Sequence, residues 1–234
     1  QGEGWSSLAE YVGRMKEGQD AIYYITGESQ EAVARSPHLE ACLARGYQVL
    51  FLTDPIDEWV VQDLPKYKDK PLRSVTQGDL DMPEKPEDKQ DEAKSDIGPA
   101  LAVGRALLAD KVKDVRASKR LRESASCLVD DEGGLSRNME RILRMANRDV
   151  PTRPRILELN PGHAFVKAAN RLASQGSTDT QLRDTQLREW IELLHDQANL
   201  AEGNVADPIG VVQRIQRLLD RAAGLGTGEE QASS

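Results

Sequence analysis

The sequence predicts an α/β subdomain followed by a mixed α+β domain that closes on two long helices. Three observations carry that reading. Short apolar runs alternate with helical stretches over residues 1–77. An acidic, proline-broken segment divides the chain at 78–96. Beyond it, residues 97–223 mix strand-like runs with helices and end in two long stretches of helical periodicity.

In the first part, Ser6 or Ser7 caps a helix to Met15, with Leu8, Tyr11, Val12 and Met15 on one face. Residues 21–26 form an apolar run suited to a strand covered on both faces. Ser29 opens a second helix, and Ser36-Pro37 a third with proline in its first turn, which Gly46 ends. Residues 48–53 read as a second buried strand. Asp54-Pro55 then starts a helix carrying Ile56, Trp59, Val60 and Leu64. Together these make a small parallel sheet with helices packed on it, an αβα subdomain over 1–77.

Over 78–96 eight acids face three lysines, with Pro83 and Pro86 as breaks, so burial there cannot offset ordering entropy. The segment is expected to be a linker. After it, Leu101, Val103, Leu107 and Leu108 lie on a helix, and residues 112–117 and 126–129 are strand candidates. An amphipathic helix is expected over 135–147, led in by Asp130, Asp131 and Glu132, acids suited to a helix amino terminus. A strand over 155–159 runs into a helix opening at Asn160-Pro161. Long helices over 180–201 and 208–223 follow, and the Gly-, Glu- and Ser-rich tail at 224–234 is expected to be disordered.

Composition excludes several classes. Thirty-one basic residues against 39 acidic ones leave a formal charge of −8, which disfavours a phosphate-driven grip on nucleic acid or an anionic membrane surface. No apolar run approaches the ~20 residues of a spanning helix. The opening Gln1-Gly2-Glu3-Gly4-Trp5 lacks the basic start and apolar stretch of a signal peptide. Cys42 and Cys127 fit small buried hydrophobes in a reducing cytosol, with a disulfide the open alternative. His38, His163 and His195 stand apart from one another and from cysteine, without zinc spacing. No nucleophile elbow accompanies the serines, and Thr26-Gly27 alone is too weak for a phosphate-binding turn.

An ordered series of motifs says more. Tyr11-Val-Gly-Arg-Met-Lys-Glu-Gly-Gln19 precedes Ile22-Tyr-Tyr-Ile-Thr-Gly27, Ser36-Pro-His-Leu-Glu40 and Asp54-Pro-Ile-Asp-Glu-Trp59. Val112-Lys-Asp-Val115, Leu157-Glu-Leu-Asn-Pro161 and His163 follow. This series resembles heat-shock protein 90 chaperones, from the end of their middle domain through their dimerisation domain. The short tail lacks the Met-Glu-Glu-Val-Asp ending of eukaryotic cytosolic members, so the resemblance is to the bacterial HtpG type, without the docking peptide for helical-repeat co-chaperones. It implies a cytoplasmic homodimer that holds non-native client proteins. It also implies that the ATP and Mg site of the full-length protein lies outside this chain, leaving no cofactor and no catalytic residue here.

Two constellations take roles from that resemblance. Leu187, Ile191, Leu194, Ala198 and Ala201 repeat at heptad spacing, as do Val211, Ile215, Leu218 and Ala222, with Val212 and Leu219 on a neighbouring stripe. Spacing alone fits an ordinary intrachain helix pair. The resemblance implies a four-helix bundle across a two-fold axis, with Leu187, Ile191, Leu194, Ala198, Val211, Val212, Ile215, Leu218 and Leu219 as dimer contacts. Leu135, Met139, Ile142, Leu143 and Ala146 share one helix face, which on its own reads as core-facing. The resemblance implies instead a client surface of Leu135, Met139, Ile142 and Leu143 together with Glu58, Trp59 and Gln62. A purely structural dimerisation module, or a small-ligand α/β enzyme with its site near Thr26 or Thr53, are the competing readings.

Overall fold

The computed structural model describes residues 4–80, 82, 96–148, 150, 153–175, 180–205 and 207–223. The predicted tail, and most of the acidic segment (residues 81 and 83–95), lie outside the described residues. The fold is mixed α/β and α+β, built on two sheets.

Helix α1 (Leu8–Gly13) starts on a capping box in which the Ser7 hydroxyl accepts from the Glu10 N–H and the Glu10 carboxylate accepts from the Ser7 N–H. Its buried Tyr11 hydroxyl donates to the Gln48 carbonyl and accepts from Gln19 Nε2 and the Tyr23 N–H, tying helix to sheet. Strand β1 (Ile22–Thr26) runs parallel to β2 (Val49–Leu52) on one side and β4 (Lys70–Ser74) on the other. A short β3 (Lys66–Tyr67) pairs antiparallel with β4, giving the order β2-β1-β4-β3. The β3–β4 hairpin, turned at Lys68 with φ 53°, carries no apolar periodicity and was not expected. It makes β4, not β2, the second neighbour of the sheet interior. The expectation of a fully covered β2 is corrected accordingly: β2 is an edge strand with all four residues half-buried.

Helices α2 (Gln30–Ala34) and α3 (Glu40–Ala44) cover this sheet, with a 3-10 turn at Pro37–Leu39 between them. Ser29 and Ser36 cap as expected, and Gly46, at φ +68°, stops the chain where a side chain would be strained. Gly27 is required for another reason, since a Cβ there would sit 2.3 Å from Val33 Cγ1. Val33, Leu39, Cys42, Tyr23 and Tyr47 pack in one core, with the two tyrosine rings stacked at 5.9 Å. Leu80, from the start of the acidic segment, is buried in the same cluster. Helix α4 (Asp57–Asp63) follows β2.

The second sheet has the order β5-β7-β6. Central β7 (Ile156–Leu159) is parallel to β5 (Asp114–Ala117) and antiparallel to β6 (Ser126–Val129). Helices α5 (Gly98–Leu107), α7 (Ala164–Ser174) and α8 (Thr180–Ala201) pack with it around Leu157, Leu159, Val115 and Val166. The helix after β7 starts at Ala164, not at Asn160-Pro161. Asn160 instead braces the turn, accepting from the Gly162 N–H and donating to the Ser124 carbonyl, while His163 Nδ1 caps α7 by accepting from the Phe165 N–H. Helices α6 (Arg137–Met145) and α9 (Pro208–Ala222) complete the fold. Both cysteines are buried and free, as small core hydrophobes.

Polar clasps join the halves. Arg120, 1% exposed, donates to the Val75 and Gly78 carbonyls, each at 2.5 Å, and pairs with Glu158 at 2.9 Å. Burial opposes the ionised form of Glu158, yet Arg120, Ser118 and Arg116 hold its carboxyl below the usual range. Glu40 accepts backbone N–H bonds from Arg122, Glu123 and Ser124, and Asp130 exchanges backbone bonds with Thr76 and Gly78.

Candidate functional site

Helix α4 is inside out. A surface helix ordinarily turns its apolar stripe inward and its charges to water. Here Ile56, Trp59 and Val60 are exposed, Trp59 at 41%, while Glu58 is only 3% exposed. No side chain caps α4; the Asp54 carboxylate instead accepts the Ile56 N–H just ahead of it. Gln62 is exposed one turn on. Beside this helix lies a cleft of about 360 Å³ lined by Tyr24 and Thr26 of β1, Ser74 of β4, Glu58 and Gln62 of α4, and the 133–136 loop. Thr26 therefore does line a cavity at the sheet's carboxyl end. Among the described residues, though, no group of three or more His, Cys, Asp or Glu side chains could hold a metal.

Across the cleft stands α6, which begins at Arg137 and leaves Leu135, half-buried, ahead of its cap. Ser136 is that cap, accepting from the Met139 N–H. Of the three acids expected at the amino terminus, Asp130 alone bonds the helix, accepting from the Arg137 N–H, while Asp131 pairs with Lys113. Ile142 and Leu143 are half-buried and Met145 is exposed. Met139 is 4% exposed, so the expectation that it and Glu58 lie on an open surface is corrected. The reason is local. Glu58 Oε1 accepts from Ser136 Oγ at 2.8 Å and from Asn138 Nδ2 at 3.0 Å, which seats the first turn of α6 inward. On α4 with its lead-in and on α6, Ile56, Val60 and Met145 are exposed apolar residues that sequence reasoning did not assign to the surface.

At the other end, α8 spends its stripe on its own chain. Leu187, Ile191, Leu194 and Ala198 are all buried in the second core, and Val211 of α9 is buried too. For these five the heptad spacing serves an intrachain contact, and their expected role as direct dimer contacts is corrected. Three arginines of α9 lock it onto α8: Arg214 to Asp196 at 2.6 Å, and Arg217 and Arg221 to Glu189 at 3.0 and 2.5 Å. Leu218 is half-buried. What α9 leaves outward is Val212, Ile215 and Leu219, with Ile209, all exposed and within about 120° of arc. Leu182 and Leu200 of α8 are exposed as well.

The fold and its ordered motifs define a class. The family model described as "Hsp90 protein" matches residues 1–234, and the chain belongs to that family of molecular chaperones. Within it the similarity is to the bacterial HtpG type. The chain is 46% identical over 229 residues to Chaperone protein HtpG of Geobacter sulfurreducens, covering 95% of this chain and 34% of that protein. It is 43% identical over 237 residues to HtpG of Myxococcus xanthus, covering 99% and 36%, and 44% identical over 223 residues to HtpG of Mycobacterium leprae, covering 93% and 34%. The chain thus spans about a third of the length of the curated relatives it matches.

Proposed function

We propose that this chain is the self-associating, client-holding part of an HtpG-type chaperone. It binds non-native polypeptide at the α4–α6 cleft and pairs with a second copy through the outer stripe of α9. The observation that carries the reading is the inversion of α4, where Ile56, Trp59 and Val60 face water while Glu58 is buried. Exposed apolar groups on an inverted helix cost stability unless a partner covers them. Trp59, Gln62, Leu135, Ile142 and Leu143 keep the client role, joined by Ile56, Val60 and Met145. The chain divides into a middle-domain portion over 1–77, a linker over 78–96 and a dimerisation domain over 97–223. ATP and Mg²⁺ act on the full-length protein outside these residues, and catalysis is not a task of this segment. The net charge of −8 supports protein clients over nucleic acid or membrane lipid. No helix of the described residues is long and apolar enough to cross a membrane; the proposed place of work, the cytoplasm, follows from the HtpG likeness.

Burial of Met139 favours one rival, a purely structural module in which α6 only completes the fold. Fluorescence anisotropy of a labelled, permanently unfolded polypeptide separates the two. Under our reading Trp59→Arg weakens binding about tenfold with the dimer intact. Equal binding by both proteins removes Trp59 from the client surface, and none by either leaves the structural module.

A further inference from the structure

The geometry points to Glu58 as a positioning residue, a latch that holds α6 down and keeps Met139 covered. This rests on the client-binding reading of the cleft and adds a gate to it.

The latch is built at the first turn of α6. Both donors, Ser136 Oγ and Asn138 Nδ2, converge on the same oxygen of Glu58, Oε1. All three side chains are buried. Ser136 works in two directions at once: its oxygen accepts the Met139 N–H to start the helix, and its hydroxyl proton goes to Glu58. Asn138 is also shared, donating to Glu58 and accepting from Arg141, whose other nitrogen reaches Glu28 at 3.0 Å. Two carboxylates from the first sheet's side therefore hold one turn of a helix that belongs to the second.

Met145 and Ala146 are exposed, and the lead-in is Gly133, at φ +72°, followed by Gly134. A first turn seated by polar bonds and led in by glycines is suited to lift when those bonds part. Met139, 4% exposed, sits in that turn, its N–H capped by Ser136. Glu58 lies in the family's client surface by sequence. Its burial means it acts through α6 rather than by meeting the client.

The test follows from both bonds falling on one oxygen. In Glu58→Gln the amide oxygen can accept both; in Glu58→Ala nothing can. We expect amide exchange over 137–145 to quicken about tenfold or more in Glu58→Ala, the loss of two bonds to a charged acceptor, and to stay near wild type in Glu58→Gln. With Met139→Cys as a reporter, thiol labelling follows the same order, since Cys42 and Cys127 are buried. Should Glu58→Ala impair folding, Asn138→Ala removes one of the two bonds from the other side and should by itself quicken exchange over 137–145, by less than the full latch loss; wild-type exchange there overturns the latch equally. Wild-type exchange and labelling in Glu58→Ala, or equal quickening in Glu58→Gln, overturn the latch. Neither readout uses a client, so the latch can fail while the client surface stands, and the reverse.

Discussion

Placing charge on the outer stripe of α9 should break the proposed dimer without unfolding the chain. The perturbation is Val212→Glu with Leu219→Glu, residues 64% and 57% exposed. Fully burying an aliphatic side chain of this size stabilises by roughly 1.5–3 kcal/mol. Scaled by the exposure left in one copy, each residue of the stripe offers about 1–1.7 kcal/mol. Ile209, Val212, Ile215 and Leu219, doubled by the two-fold axis, offer about 7–14 kcal/mol against an association cost of about 4–15. The double variant removes half of that gain, and it places four carboxylates in the interface. Lost burial alone, about 4–7 kcal/mol, weakens the dimer by three orders of magnitude or more. Sedimentation velocity at micromolar concentration should show a dimer for wild type and a folded monomer for the variant. A variant that still sediments as a dimer refutes the stripe as the interface. Leu218→Glu is the poorer probe, because a half-buried residue confuses dissociation with unfolding.

Other outcomes follow from the buried groups. Arg120→Ala takes one of two arginines from the buried Glu158, Arg116 remaining, and removes the donor from the Val75 and Gly78 carbonyls; it should cost about 2–3 kcal/mol in urea unfolding, so a loss below about 1 kcal/mol would remove the clasp from the account. Burial raises the Asp130 pKa to about 6, the nearby Glu202 adding to the rise and Arg155 opposing it. The folded state then holds a proton that the unfolded state has released, and stability from this group falls as pH rises from about 4 to about 6. Asp130→Asn should therefore raise the melting temperature at pH 7.5, by on the order of 1–2 kcal/mol of stability, and change it little at pH 4; the opposite ordering would refute the assignment. The Cys42 thiol is pushed by burial up to about 12, and Cys127 is raised as well. Neither should react with a thiol reagent at pH 8 until the protein unfolds, and rapid labelling of the native chain would contradict the described cores.

Elements that announce themselves locally were legible in the residues. Ser7, Ser29 and Ser36 cap the helices they precede, and the long helix over 180–201 was expected with the ends that α8 has. The β3–β4 hairpin was not legible, because Pro71 and a single large apolar residue, Leu72, carry no strand pattern. The site was harder. Heptad spacing states that Leu187, Ile191 and Leu194 need a partner, not whether that partner is another chain or the sheet beneath them. Only the packing of α8 on β6 and β7 decides it. Glutamate usually belongs at a surface, so burial of Glu58 could not be read before Ser136 and Asn138, almost eighty residues on, were seen to reach it. Arg120 and Glu158 are a similar pair, 38 positions apart and joined only by the fold.

Site-specific photo-crosslinking tests client capture most directly. A photoreactive amino acid is placed at Trp59, at Met145 or at the exposed Lys167 of α7, and each protein is irradiated with a labelled unfolded polypeptide. Positions 59 and 145 should give strong adducts that unlabelled unfolded chain competes away, with little at 167. Equal yields at all three positions, or none at 59, would contradict the account.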